Sequence, residues 1–151
     1  MRNALEYGIT FYCMQENLAY VSGMQMTVAP FLLMGFHSLK TVYVTFKSFV
    51  KTAMPRTYRK NSSLPFACEI FKKLLMYFDP ILCNIIEARL STVESLAEKW
   101  FISHLATQMD TSLLLALWEY SLKEENLTLP YFFAVAMLRK ERYKIIMSEE
   151  P

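Results

Sequence analysis

Glycine is scarce in this 151-residue chain, with three residues, and so are proline, cysteine and histidine, with six, three and two. Neither G-x-x-x-x-G-K-[ST] nor G-x-G-x-x-G occurs, so no glycine loop is available to cradle a nucleotide phosphate. So little glycine and proline also excludes collagen-like and low-complexity classes. Cys13, Cys68 and Cys83 are an odd, scattered set without C-x-x-C spacing. They read as buried thiols of a reducing compartment rather than a disulfide framework. His37 and His104 lie far apart, without Cys or carboxylate neighbours at ligand spacing. Each is expected as a partly buried helix residue, and no metal or cofactor site is expected.

Charge is short on one sign over a long stretch. No acidic residue falls between Glu16 and Glu69, while Lys40, Lys47, Lys51, Arg56, Arg59 and Lys60 all do. Residues 1–78 hold nine basic and three acidic side chains, a balance of +6; residues 79–151 hold seven and eleven, a balance of −4. The net charge of +2 is too small to imply nucleic acid as a partner. The basic half suits anionic lipid, an acidic partner or an ordinary solvated face. The loop Arg56-Thr57-Tyr58-Arg59-Lys60 carries the same alternatives: a phosphoinositide or acidic-partner site, or a solvated linker.

What the chain has in quantity is apolar surface: 54% hydrophobic and 15% aromatic residues against 20% charged. Such a composition excludes intrinsic disorder and provides for one domain with its own core. No secretory signal is visible at the N-terminus. Residues 17–39 carry no charge and are long enough to cross a bilayer. Ser22, Gln25 and Thr27 near their middle are costly at that depth, and a buried helix that breaks near Pro30 explains the same pattern. No transmembrane segment is expected.

Periodicity is helical nearly throughout. Leu39, Val42, Tyr43, Phe46, Phe49, Val50 and Ala53 form one stripe, with Lys40, Lys47 and Lys51 opposite. Leu64, Ala67, Phe71, Leu74, Leu75 and Phe78 form a second. Val93, Leu96, Ala97, Trp100, Phe101 and Leu105 form a third. Residues 113–118 are apolar on every side and predict a central, buried helix. Asp79-Pro80, Ser63 with Pro65, and Thr128 with Pro130 look like N-caps followed by proline in the first turn. Ser91-Thr92-Val93-Glu94 fits a capping box. No strand pattern appears. The reading is all-α, about eight helices over 2–14, 18–35, 38–53, 64–78, 80–90, 93–106, 111–122 and 129–147.

Several segments together carry a resemblance. Tyr20-Val21-Ser22-Gly23-Met24-Gln25, preceded by Phe11-Tyr12-Cys13 and followed by Ala29-Pro30-Phe31-Leu32-Leu33, is similar to the Y-x-Q-G-M-N motif of TBC domains. These are the GTPase-activating domains of Rab-type GTPases. Asp79-Pro80-Ile81-Leu82, Trp100-Phe101, Leu117-Trp118-Glu119 and Phe132-Phe133-Ala134-Val135-Ala136 resemble later family motifs in the same order. The resemblance implies a TBC-like multi-helix domain over 1–151. Its closest likeness is to the cell-cycle subgroup that restrains mitotic exit and septation.

GTP hydrolysis needs an oriented water and positive charge against the phosphates in the transition state. In the family an arginine in I-x-x-D-x-x-R and the glutamine of Y-x-Q supply them. I-x-x-D-x-x-R is absent from these residues, so the resemblance implies a domain short at its N-terminus. Arg2 stands too close to the 20–25 segment to take the arginine's role. The glutamine position holds Ser22, whose hydroxyl is shorter and lacks the paired donor and acceptor of an amide. Gln25, about 60° further round a shared helix, faces the same cleft, and Gln15 is a weaker candidate. The expectation is a regulator with no catalytic residue of its own, contacting a GTP-bound Rab-type GTPase through Tyr20, Ser22, Gly23, Met24 and Gln25. It needs no cofactor, and a second regulatory subunit fits the missing groups. The implied setting is vesicle traffic or the cell cycle, in the cytoplasm, peripherally on endomembranes or at the spindle pole. The alternative is a helical scaffold or adaptor that contacts no GTPase.

Overall fold

The structure, a computed structural model, describes residues 2–36, 38–89 and 92–147. Among them are nine helices and no strand: α1 (Arg2–Glu16), α2 (Met24–Leu33), α3 (Leu39–Ala53), α4 (Leu64–Phe78), α5 (Pro80–Arg89), α6 (Val93–Phe101), α7 (Thr111–Lys123), α8 (Leu129–Lys140) and α9 (Arg142–Met147). The all-α expectation holds. The extra helix arises where the expected 129–147 helix divides at Glu141, whose amide donates back to the Met137 and Leu138 carbonyls.

The three stripes bury along most of their length, but their ends do not: Leu39 at the start of α3 and Phe78 at the end of α4 are exposed. Val42, Phe46, Phe49 and Val50 of α3 are buried; Phe46 and Phe49 meet Phe31 of α2, and Phe49 meets Trp118 of α7. Phe49 and Phe31 lie 4.3 and 5.6 Å from the Trp118 ring, and aromatic pairs at such distances add to simple burial. On the other side, Phe71 and Leu75 of α4 pack with Val93, Ala97, Trp100 and Phe101 of α6. The α7 helix departs from expectation. Leu114, Leu117 and Trp118 are buried, but Leu113 and Ala116 face solvent, so this helix lies at the edge of the core.

Local side-chain hydrogen bonds set several helix ends. Asp79 caps α5 by accepting from the Leu82 amide at 3.0 Å, and its second oxygen takes the Arg142 Nε at 2.8 Å. Two other expected caps are displaced by one or two residues. The Ser63 hydroxyl donates to the Pro55 carbonyl, and Ser62 receives the Leu64 amide instead. At α8, Asn126 rather than Thr128 closes the turn, accepting from both the Thr128 amide and its hydroxyl. Thr92 caps α6 through the Ser95 amide; Ser91 lies outside the described residues, as does His37.

No helix among the described residues is long and apolar enough to cross a membrane. The uncharged stretch resolves into a turn followed by the ten-residue α2. Pro30 sits inside that helix without breaking it. It forfeits one backbone hydrogen bond, while the burial of Val28, Pro30 and Phe31 holds the segment helical. The helix stops three residues later, before Gly35 at φ 72.

Candidate functional site

The site is built on the turn between α1 and α2. Asn17, at φ 52, ends α1 in the left-handed conformation that asparagine tolerates, and the Leu18 amide reaches back to the Cys13 carbonyl at 2.9 Å. The chain then runs without regular structure to Ser22 and Gly23, which form the turn into α2. Gly23 is required twice over. Its φ of 108 is a region side chains rarely adopt, and a Cβ there would stand 2.9 Å from Ile102 Cγ2.

Gln25 locks this turn. Its Oε1 accepts from the Tyr20 hydroxyl at 2.7 Å and from the Gly23 amide at 3.0 Å. The second bond satisfies an amide that the start of a helix otherwise leaves unpaired, as a capping box does from one residue further on. Ser22 precedes α2, so the expected helical offset between Ser22 and Gln25 does not apply: Ser22 is exposed at the tip of the turn and Gln25 is folded back beneath it. Tyr20 is more than half exposed. Met24 is wholly buried, with the Cys13 thiol 3.8 Å from its sulfur. It therefore anchors the turn, and the solvent-facing surface of the turn comes from Tyr20, Ser22 and the edge of Gln25. Gln15 is exposed on α1.

The support beneath the turn comes from the loop over 54–62. Tyr58 is buried, donates its one hydroxyl proton to the Ile102 carbonyl at 2.9 Å, and so accepts from the Thr27 hydroxyl at 2.7 Å. Ile102 is the residue against which Gly23 packs, so one phenol ties α2, the loop and the end of α6 together. Burial pushes the Tyr58 phenol well above its ordinary range. The loop is thus no freely solvated linker: Met54 and Tyr58 pin it to the core while its arginines stay outside.

Glu16, at the end of α1, receives Lys47 at 2.6 Å and Arg59 at 3.1 Å. The hydrogen bond from Lys47 holds its carboxyl below the usual range, against the opposing effect of burial. Tyr12, one turn earlier, is pushed up to about 12 by burial and by the Glu16 charge. His104 is buried as expected, yet it lies in the turn after α6 at φ 49 and not in a helix; burial lowers its pKa to about 4. Cys68 and Cys83 are buried and Cys13 half-buried, and burial pushes all three thiols up. Among the described residues no three His, Cys, Asp or Glu side chains gather as a metal-binding group.

The sequence reading missed Tyr58 and Ile102 as the support of the turn. A lone aromatic inside an otherwise polar, basic loop was the available signal for Tyr58. Ile102 carried none, because its contact is with a glycine distant in sequence.

No solved structure matches the chain. Residues 1–146, almost its whole length, match the Rab-GTPase-TBC domain. The chain belongs to the Rab-GTPase-TBC domain family of Rab GTPase-activating regulators.

Proposed function

We propose that this chain, as one TBC-like unit, binds a GTP-loaded Rab-type GTPase through the turn of Tyr20, Ser22 and Gln25 and does not by itself accelerate hydrolysis. The observation that carries this reading is the exposed Ser22 at the glutamine position, with the nearby Gln25 carbonyl already engaged by Tyr20 and Gly23. A serine hydroxyl reaches less far than an amide and does not offer its paired donor and acceptor to a water. The sequence also holds no I-x-x-D-x-x-R. An arginine finger accounts for about 10³–10⁵ in rate, roughly 4–7 kcal/mol of barrier, which the turn alone does not replace.

A second subunit that brings an arginine completes the site in this reading. The subgroup likeness, in Pro30 of Ala29-Pro30-Phe31-Leu32 and in the spacing of the later motifs, supports a role in restraint of mitotic exit and septation, at the spindle pole, with peripheral endomembrane traffic as the other setting. Imaging the tagged chain through mitosis distinguishes the two locations.

The test uses the purified chain and a panel of GTP-loaded Rab-type GTPases. Binding is expected with at least one, weakened by Tyr20→Ala, with hydrolysis near the intrinsic rate. Large acceleration abolished by Ser22→Ala or Gln25→Ala contradicts the proposal. Binding to none of the panel favours the adaptor reading.

A further inference from the structure

A cleft of about 420 Å³ opens between the end of α1, the last turns of α3 and the 54–62 loop. This lies within the roughly 300–1,000 Å³ range of small-molecule sites. Four cations line it, Lys47, Lys51, Arg56 and Arg59, against one carboxylate, Glu16. Glu16 engages Lys47 and Arg59. Lys51 and Arg56 have no ion-pair or hydrogen-bond partner among the described residues. The cleft therefore carries a formal excess of three positive charges. Arg56 is also held at φ 65, a conformation uncommon for a residue with a side chain and favoured at places where the chain serves a site.

Tyr12 supplies a separate pointer. The residue is 5% exposed and lines the cleft, and its hydroxyl makes no hydrogen bond to any described residue. Buried phenols normally find a partner. No fully enclosed polar side-chain atom among the described residues lacks one, so this hydroxyl is not fully enclosed, and the cleft that Tyr12 lines is the space beside it.

From the four cations, the strained Arg56 and the open Tyr12 hydroxyl, we infer that this cleft binds a phosphate-rich anion of the inositol polyphosphate class. The charge excess exceeds that of one phosphate and matches two or more on a common ring. Arginine forks grip phosphate oxygens in pairs, lysines add point charge, and the phenol donates one directed hydrogen bond. The inference does not depend on GTPase binding.

Calorimetry with soluble inositol trisphosphate, and flotation with phosphatidylcholine vesicles with and without phosphatidylinositol bisphosphate, distinguish a free ligand from a lipid headgroup. Binding in either arm is expected, weakening as salt rises. The Lys51→Glu, Arg56→Glu double variant should lose about tenfold or more, the size of one charge-assisted contact. Tyr12→Phe, which keeps the ring and the fold, should lose several-fold. Lys99→Glu, on α6, is the control and should lose nothing. Absence of binding in both arms, equal loss in the Lys99→Glu control, no loss in either cleft variant, inorganic phosphate binding as tightly as the trisphosphate, or capture of poly-glutamate in place of both probes overturns it.

Discussion

Replacing Gly23 by alanine tests the geometry of the turn with one methyl group. At φ 108 the alanine must adopt a left-handed conformation, which costs about 1–2 kcal/mol. Its Cβ also meets Ile102 Cγ2 at 2.9 Å, and that side chain belongs to a residue whose carbonyl is held by Tyr58. Ile102 therefore cannot shift freely, and overpacking adds about 1–3 kcal/mol. The expected loss of about 2–5 kcal/mol is a large share of the roughly 5–15 kcal/mol that stabilises a small domain. Urea unfolding followed by circular dichroism reads it directly. Gly8 provides an internal control, since it lies within α1 with nothing within 4 Å of an added Cβ. Gly8→Ala should raise stability by about 0.5–1 kcal/mol. A double-mutant cycle with Ile102→Ala should recover about 1–3 kcal/mol of the Gly23→Ala loss. A Gly23→Ala loss below about 0.5 kcal/mol, or no coupling to Ile102, refutes the account of the turn.

Other perturbations address its supports. Tyr58→Phe deprives Thr27 and the Ile102 carbonyl of a buried partner and should cost about 1–3 kcal/mol by the same unfolding measurement. His104 carries an acid sensitivity. Its folded pKa of about 4 lies below the ordinary 6.5, so the unfolded chain binds the proton more readily. The stability it confers is full above the unfolded value and falls as pH drops toward 4, by about 2 kcal/mol at roughly pH 5. His104→Asn, which tolerates the positive φ, should abolish that slope in pH-dependent melting. Gln25→Ala releases Tyr20 and the Gly23 amide, and titration with the GTP-loaded GTPase should show binding weakened several-fold, with the helical signal retained.

Much of the fold was legible because its determinants are local. The α3 stripe predicts the buried face of that helix from spacing alone, and Asp79-Pro80 predicts a cap that forms. The errors lie where tertiary contacts override local signals. Pro30 predicts a break within the helix over 18–35, yet packing on its neighbours carries α2 through it. The 113–118 run is apolar on all sides, but which side is covered depends on α8 and the α2–α3 layer, and Leu113 is left outside. The site divides in the same way. The 20–25 motif located the turn, and the glycine in it is the residue with a positive φ. That Met24 is buried, that Gln25 serves as a clip and that Tyr58 stands beneath depend on pairings across 31 to 44 residues or on side-chain direction, neither of which spacing encodes.

On the proposed function, the chain recognises a Rab-type GTPase without hydrolytic power of its own. Single-turnover hydrolysis of GTP by a Rab-type GTPase that the chain binds, measured with saturating wild-type chain, tests it most directly. The expected rate is within a few-fold of the intrinsic one. An acceleration approaching the 10³-fold or more of an arginine finger, lost on Ser22→Ala or Gln25→Ala, would contradict it.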